Sequence, residues 1–133
     1  MCKIKDGKEK LKQGYTFAAL GKEIYISTER GIKPIVELLR NKPDALKDTV
    51  VCDKVIGKAA ALLLAYGEIK ELYTPVLSRP AEAILKKYHI QYQYDRLVDR
   101  IKNRAGDGLC PMETMAMDLQ TAEEAFAVFS EKI

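Results

Sequence analysis

VVCDKVIGKAAALLLAYG, residues 50–67, decides the fold of this 133-residue chain. Its first residues form a short apolar run, which favours a buried strand. The alanines and leucines that follow are strong helix formers, and Gly67 ends them as a glycine typically ends a helix. A buried strand that leads directly into a buried helix is typical of α/β folds with parallel strands. The stretch therefore predicts an α/β domain, with Cys52, Asp53 and Lys54 where the strand ends and the helix begins.

The rest of the chain continues this alternation of strands and helices. Residues 15–28 predict an antiparallel hairpin with a two-residue Gly-Lys loop, and a helix is predicted before it at residues 3–12. Three more helices and two more strands are indicated by periodicity and capping residues, at residues 33–43, 69–78, 78–89, 90–95 and 121–133. The whole chain, residues 1–133, is predicted to form one three-layer α/β/α domain around a mixed sheet of about five strands.

Composition bounds the class of protein. The chain has 47% hydrophobic and 31% charged residues, as soluble globular domains do. Its longest apolar run, residues 59–66, is far shorter than a membrane span, and the N-terminus has no apolar signal segment. These features predict a cytoplasmic protein without a membrane partner. A net charge of +3, with both signs spread along the chain, indicates no nucleic-acid interface.

The cysteines and the histidine give no metal motif. Three widely spaced cysteines and one histidine, His89, contain no pair at the spacing that binds zinc. No metal and no cofactor is therefore predicted. The odd number of cysteines also argues against a disulfide framework.

CDKVIGK, residues 52–58, is the first candidate site. Ligands of open α/β sheets bind where strands end at helix N-termini, so Asp53 is predicted to hold a hydroxyl or base edge and Lys54 an anion. Gly57 allows a close approach to the first turn of the helix, which also carries Lys58. The alternative is structural, with Asp53 as the helix N-cap, Lys54 solvated and Gly57 required for packing.

NRAGDGLCPMET, residues 103–114, is the second candidate site. Its two glycines permit a tight turn, which either reverses the chain or presents backbone amides to an anion. Cys110 and Pro111 have the pattern of a helix start, where the helix dipole stabilises a thiolate and makes the cysteine a candidate nucleophile. Against this, a nucleophilic cysteine normally needs a base, and the alternative is a small buried side chain under a turn.

Residues 50–67, residues 71–85 (ELYTPVLSRPAEAIL) and residues 103–113 (NRAGDGLCPME) together resemble domain of unknown function 1893, a family of uncharacterised prokaryotic proteins. The resemblance covers almost the whole chain. That family is similar in fold to the cytidine deaminases, so the resemblance implies a mixed five-strand sheet that begins with an antiparallel hairpin.

The residues at the two expected helix starts are not those of a zinc deaminase. Zinc deaminases need H-x-E or C-x-E at one helix start and P-C-x-x-C at the next, so that the metal and the proton carrier meet at the base. This chain has Cys52-Asp53-Lys54 at the first and Pro80-Ala81-Glu82-Ala83 at the second. Zinc-dependent deamination is therefore not expected.

The resemblance implies instead a site of different chemistry at the same place. Its residues are Asp53, Lys54, Gly57, Lys58, Asn103, Arg104, Gly106, Asp107, Gly108, Cys110, Pro111 and Glu113. We expect a small nucleotide-like or phosphorylated metabolite to bind there, with Lys54 and Arg104 on its anionic part. Two alternatives stay open: a metal-free enzyme that uses Cys110, with Asp107 or Glu113 as proton carrier, and a structural or regulatory subunit of a homo-oligomer.

Overall fold

The computed structural model describes residues 3–29, 31–101 and 111–132. Its elements are α1 (Lys3–Lys12), β1 (Phe17–Leu20), β2 (Ile24–Ser27), α2 (Lys33–Asn41), β3 (Val50–Asp53), β4 (Val55–Ile56), α3 (Lys58–Tyr66), β5 (Glu71–Ser78), α4 (Arg79–Lys87), β6 (Gln91–Val98), α5 (Pro111–Ala116) and α6 (Ala122–Lys132). The predicted order of helices and strands is confirmed, and the short strand β4 is added to it. Among the described residues, no helix is long and apolar enough to cross a membrane.

The strands form one mixed sheet. β1 pairs antiparallel with β2 on one side and with β3 on the other, whereas β3, β4 and β6 all run parallel to β5. β3 and β4 lie along the same neighbour and are separated only by Lys54, so they occupy one position in the sheet. The sheet therefore begins with the predicted hairpin and ends in the predicted parallel strands.

Helices cover both faces of the sheet. α1 packs on one face, where Ile4 and Leu11 join Val50, Cys52 and Tyr73 in a small buried cluster. On the same face a Cβ at Gly7 would lie 2.1 Å from the sulfur of Cys52, so the backbone of α1 lies directly on this thiol. The fold is therefore three-layered, as predicted.

The opposite face carries the main core. Because side chains alternate along a strand, Val51 points away from α1 and joins this larger cluster. α2, α3, α4 and α6 all contribute to it. α3 is buried along Ala59–Ala65, which explains why its sequence is apolar on every side. A helix of this kind has no free face, so only its two ends can meet polar groups.

Local sequence sets the start of two helices. The hydroxyl oxygen of Ser78 accepts a hydrogen bond from the N–H of Ala81 at 3.2 Å and caps α4. Before α6, the N–H of Glu124 donates to Thr121 Oγ1 at 3.2 Å, and the N–H of Thr121 donates to Glu124 Oε1 at 3.0 Å. Both caps are predicted by residue type and spacing, and both are confirmed.

The hairpin differs from its prediction in the loop. Leu20 pairs with Ile24, which leaves residues 21–23 as a three-residue loop rather than the predicted Gly-Lys pair. The N–H of Gly21 donates to the carbonyl oxygen of Glu23 at 3.1 Å and closes this three-residue loop. β1 is buried along its whole length because strands flank it on both sides, whereas Ile24 and Ile26 on β2 remain exposed.

Candidate functional site

Asp53 is the last residue of β3, and α3 begins only at Lys58. The predicted strand end at residues 52–54 is confirmed, but the prediction that the helix begins there is wrong. The physical reason is β4, which pairs with β5 before the chain turns into the helix. The N-cap of α3 is Gly57, so the structural alternative of Asp53 as the helix cap is also wrong.

The carboxyl group of Asp53 is buried, with only 7% of the residue exposed. Its hydrogen bonds come from the backbone of Lys54 and Val55, and no ion pair joins it to a cation within the described ranges. Loss of hydration on burial outweighs these two bonds and raises the pKa of Asp53 well above its ordinary value of 3.8. A carboxyl group that keeps its proton can donate a hydrogen bond as well as accept one.

Residues 52–54 point in different directions. Cys52 is fully buried under α1, whereas Asp53 lies on the opposite face, where it is the cross-strand neighbour of Phe17. Lys54 is exposed at the break between the two strands, and its N–H donates to the carbonyl of Thr16 at 3.1 Å. Asp53 and Lys54 therefore remain candidates for one site, and Cys52 belongs to the packing of α1.

A carboxylate of the chain itself occupies the N-terminus of α3. Glu113 Oε2 accepts the N–H of Lys58 at 3.0 Å, and Glu113 Oε1 accepts the N–H of Ala59 at 3.4 Å. α3 has no cap from its own neighbouring side chains, so Glu113, on α5, acts as its cap. The pKa of Glu113 is nevertheless raised, because desolvation outweighs the two backbone bonds and the charge of Lys58.

Gly57 allows the carboxylate to reach the helix. A Cβ at this position would lie 1.8 Å from Glu113 Oε1 and 3.0 Å from Ile101 Cγ1. The predicted close approach at Gly57 is present, but the approaching group is Glu113 and not a ligand. Ile101 precedes residues 102–110 in the sequence and Glu113 follows them, so residues from both flanks of that segment lie next to Gly57.

Lys58 does not face the N-terminus of its own helix. Its side-chain ammonium donates to the carbonyl oxygen of Met117 at 3.1 Å, just past the end of α5. Together with the bonds to Glu113, this contact holds α5 against α3 at two points. The two candidate sites of the sequence do meet, and Glu113, Gly57 and Lys58 are the residues that join them.

Residues 8–133 match the family model described as domain of unknown function (DUF1893). The chain belongs to this family. Among solved structures, the crystal structure of a DUF1893 family protein (TM1506) from Thermotoga maritima is similar, with a TM-score of 0.88 and 27% sequence identity. The match covers 98% of this chain and 88% of that chain. The comparison with curated proteins gave no match.

Six predicted site residues of this DUF1893 protein lie outside the described residues: Asn103, Arg104, Gly106, Asp107, Gly108 and Cys110. The helix predicted to begin at Pro111 is α5. Within residues 3–29, 31–101 and 111–132, no three His, Cys, Asp or Glu side chains are placed to hold a metal ion. His89 has a φ of 58° and lies in the turn that ends α4.

Two tyrosine–carboxylate pairs of the DUF1893 protein are absent from the sequence prediction. The hydroxyl of Tyr73 donates to Asp95 Oδ2 at 2.5 Å, and the hydroxyl of Tyr92 donates to Glu82 Oε2 at 2.9 Å. Burial, followed by the neighbouring carboxylate, raises the pKa of each tyrosine to about 12. The first pair joins β5 to β6 and the second joins β6 to α4, so both stabilise the sheet edge. Their partners are distant in sequence, and no local pattern indicates them.

Proposed function

We propose that this DUF1893 protein binds a small nucleotide-like or phosphorylated metabolite in a cytidine-deaminase-like pocket without zinc, at the end of β3. The observation that carries the proposal is the buried carboxyl group of Asp53. Among the described residues no cation forms an ion pair with it, and a buried carboxyl group that lacks such a partner costs free energy relative to a neutral side chain. Such groups with perturbed pKa values concentrate at ligand-binding and catalytic sites.

The position of Asp53 in the sheet supports the same proposal. Ligands of open α/β sheets bind outside the carboxyl ends of parallel strands, and Asp53 is the carboxyl-terminal residue of β3, which runs parallel to β5. Lys54, the residue after Asp53, lies at the break between β3 and β4 and is exposed to solvent. The deaminase-like assignment rests on the family resemblance, and the mixed sheet that begins with a hairpin and the helix layers on its two faces are consistent with it.

Glu113 limits where an anionic group can bind. The first amides of α3 already donate to its carboxylate, so they are not free for a phosphate. In this proposal Asp53 binds the hydroxyl or base edge, and Lys54 and Arg104 bind the anionic part. The contacts of Glu113 with α3 account for its position, so we assign it no proton transfer.

A thermal-shift assay with nucleosides, nucleotides and sugar phosphates tests the proposal. A true ligand at 100 times its dissociation constant should stabilise the fold by about 2.7 kcal/mol. Asp53→Asn should weaken binding by about tenfold or more, because the amide fixes which atom donates and which accepts, so a hydrogen bond that the carboxyl group makes to the ligand is lost. The matched control is Asp44→Asn, which changes an exposed carboxylate before β3 and should bind as the unaltered protein does.

Two outcomes would contradict the proposal. One is that no member of the panel raises the unfolding temperature. The other is that a ligand is found but Asp53→Asn binds it as tightly as the unaltered chain. Comparison of a nucleoside with its phosphate, in the unaltered chain and in Lys54→Met, separates the two halves of the assignment: the variant should lose affinity only for the phosphate.

A further inference from the structure

β2 is an edge strand, and β1 is its one neighbour among the described strands. In an antiparallel ladder, every second residue directs both its N–H and its C=O toward the neighbouring strand. The bond from the N–H of Gly21 to the carbonyl of Glu23, at 3.1 Å, fixes the phase of this ladder. Every second residue from Glu23 therefore faces β1, and Ile24 and Ile26 direct their backbone groups to the open side.

The side chains of these two residues are exposed as well. Ile24 is 61% and Ile26 is 41% exposed, and both lie on the face that carries α1. Natural proteins usually protect an open edge with charged side chains, proline or a bulge. The strand itself, IYIS, has no charged residue and no proline. Next to it, a groove of about 480 Å³ lies between β2 and α2 and is lined in part by Ile24, Ile26, Pro34 and Leu38.

We propose that β2 pairs with β2 of a second copy of this chain, antiparallel and across a twofold axis, so that one sheet runs through both copies. Ile24 of each copy lies opposite Ile26 of the other, and Tyr25 lies opposite Tyr25. In this register the outward backbone groups form two hydrogen bonds at each Ile24–Ile26 pair. The exposed isoleucines of both copies then cover one another on one face.

Charge disfavours one of the two neighbouring registers. A shift that opposes Ile26 with Ile26 also uses the outward backbone groups. It places Glu23 of one copy opposite Glu29 of the other, on the same face of the sheet. Like charges in direct opposition are destabilising. The proposed register instead places Glu23 opposite Ser27, which avoids this repulsion. Both copies use the same residues of β2 in this interface, as a twofold interface requires.

Light scattering and sedimentation over a range of concentrations test this dimer. Ile26→Pro removes one outward N–H and leaves the ladder with β1 intact, since this N–H does not face β1. Ile24→Lys places a charge on the exposed edge. Each variant should raise the dimer dissociation constant by about tenfold or more, because hydrogen bonds or apolar contacts of a central pair are lost. Tyr94→Lys, at a residue that is 39% exposed on β6 and far from β2 in the strand order of the sheet, is the matched control and should dimerise normally.

The proposal is overturned if the unaltered chain stays monomeric at every concentration, or if it dimerises and neither edge variant weakens the dimer. Circular dichroism of each variant shows whether it folds. If Ile26→Pro does not fold, Ile24→Lys decides alone, because its side chain is largely exposed in the single copy.

Discussion

The helices α3 and α4 both follow strands of the central sheet, yet their N-termini are completed in different ways. α4 starts at Ser78, whose own hydroxyl caps the first turn. α3 starts at Gly57, which has no side chain, and its first amides donate to Glu113, 55 residues away from Lys58 in the sequence. One helix end is therefore capped by its own residues, and the other is capped only when α5 is docked.

This difference shows where the candidate site depends on the rest of the fold. The cap of α4 depends only on neighbouring residues, whereas α3 loses its cap when α5 is removed. The hydrogen bond from Lys58 to Met117 is a second contact between α3 and the end of α5. Asp53, at the end of β3, comes only a few residues before the start of α3 in the sequence. We therefore expect changes at Gly57 and Glu113 to reach the site, and changes at Ser78 to stay local.

Gly57→Ala should have the largest effect on stability. The added methyl group would lie 1.8 Å from Glu113 Oε1, so the carboxylate has to leave the helix end. Overpacking and loss of the cap together predict a loss of about 3 kcal/mol in the free energy of unfolding. Chemical denaturation measures it. In a Glu113→Ala background the same change should cost much less, and an equal cost in both backgrounds would show that the carboxylate is not the obstacle.

Glu113→Ala should have the second-largest effect on stability. It leaves the first amides of α3 without their acceptor, at an expected cost of about 2 kcal/mol. Glu131→Ala, an exposed glutamate on α6, is the control and should change stability by less than about 0.5 kcal/mol. If the two substitutions cost the same in denaturation experiments, Glu113 does not cap α3.

Ser78→Ala should cost about 1 kcal/mol, as loss of a local N-cap usually does. Ser130→Ala, near the end of α6, is the control and should have little effect. Because Ser78 and Glu113 share no bonding partner in the described residues, their two substitutions combined should cost the sum of the single costs. A marked departure from that sum in denaturation experiments would mean that the two helix ends are not independent.

Asp53→Asn should have the smallest effect, and its sign should be opposite. The raised pKa means that the folded chain holds this proton to a higher pH than the unfolded chain does. The stability due to Asp53 is therefore complete below its ordinary pKa of 3.8 and is lost as the pH rises through the folded-state pKa. The variant should show a weaker decline over this window and be more stable by about 0.5 kcal/mol at neutral pH. Unfolding free energies measured against pH test this, and an unchanged slope would contradict it.

Periodicity and local caps in the sequence were sufficient to predict most of the fold. Hydrophobic periodicity predicts α1, the hairpin, α2 and the parallel strands, and the caps at Ser78 and Thr121 depend only on neighbouring residues. β4 is missed because two apolar residues before a helix look like part of that helix. This error placed the start of α3 several residues too early, directly after the end of β3.

The candidate site was harder to predict than the fold. The residue patterns pointed to Gly57 and Glu113 separately, each through its own segment, and only the family resemblance placed them at one site. Their contact closes over 55 residues of chain from Lys58, and no spacing rule covers such a distance. The exposure of Ile24 and Ile26 could not be predicted either, because alternation along a strand shows which residues share a face of the sheet but not whether a helix covers that face.

The contact between Gly7 and Cys52 makes the thiol of Cys52 a probe of the separation of α1 from the sheet. With the α1 backbone directly over the sulfur, a thiol reagent can reach Cys52 only after α1 has separated from the sheet. When reclosing is faster than the chemistry, the modification rate of Cys52 reports the equilibrium between docked and detached α1. The same sulfur would then read out, without any added label, how a ligand or a second copy of the chain changes the protection of this face.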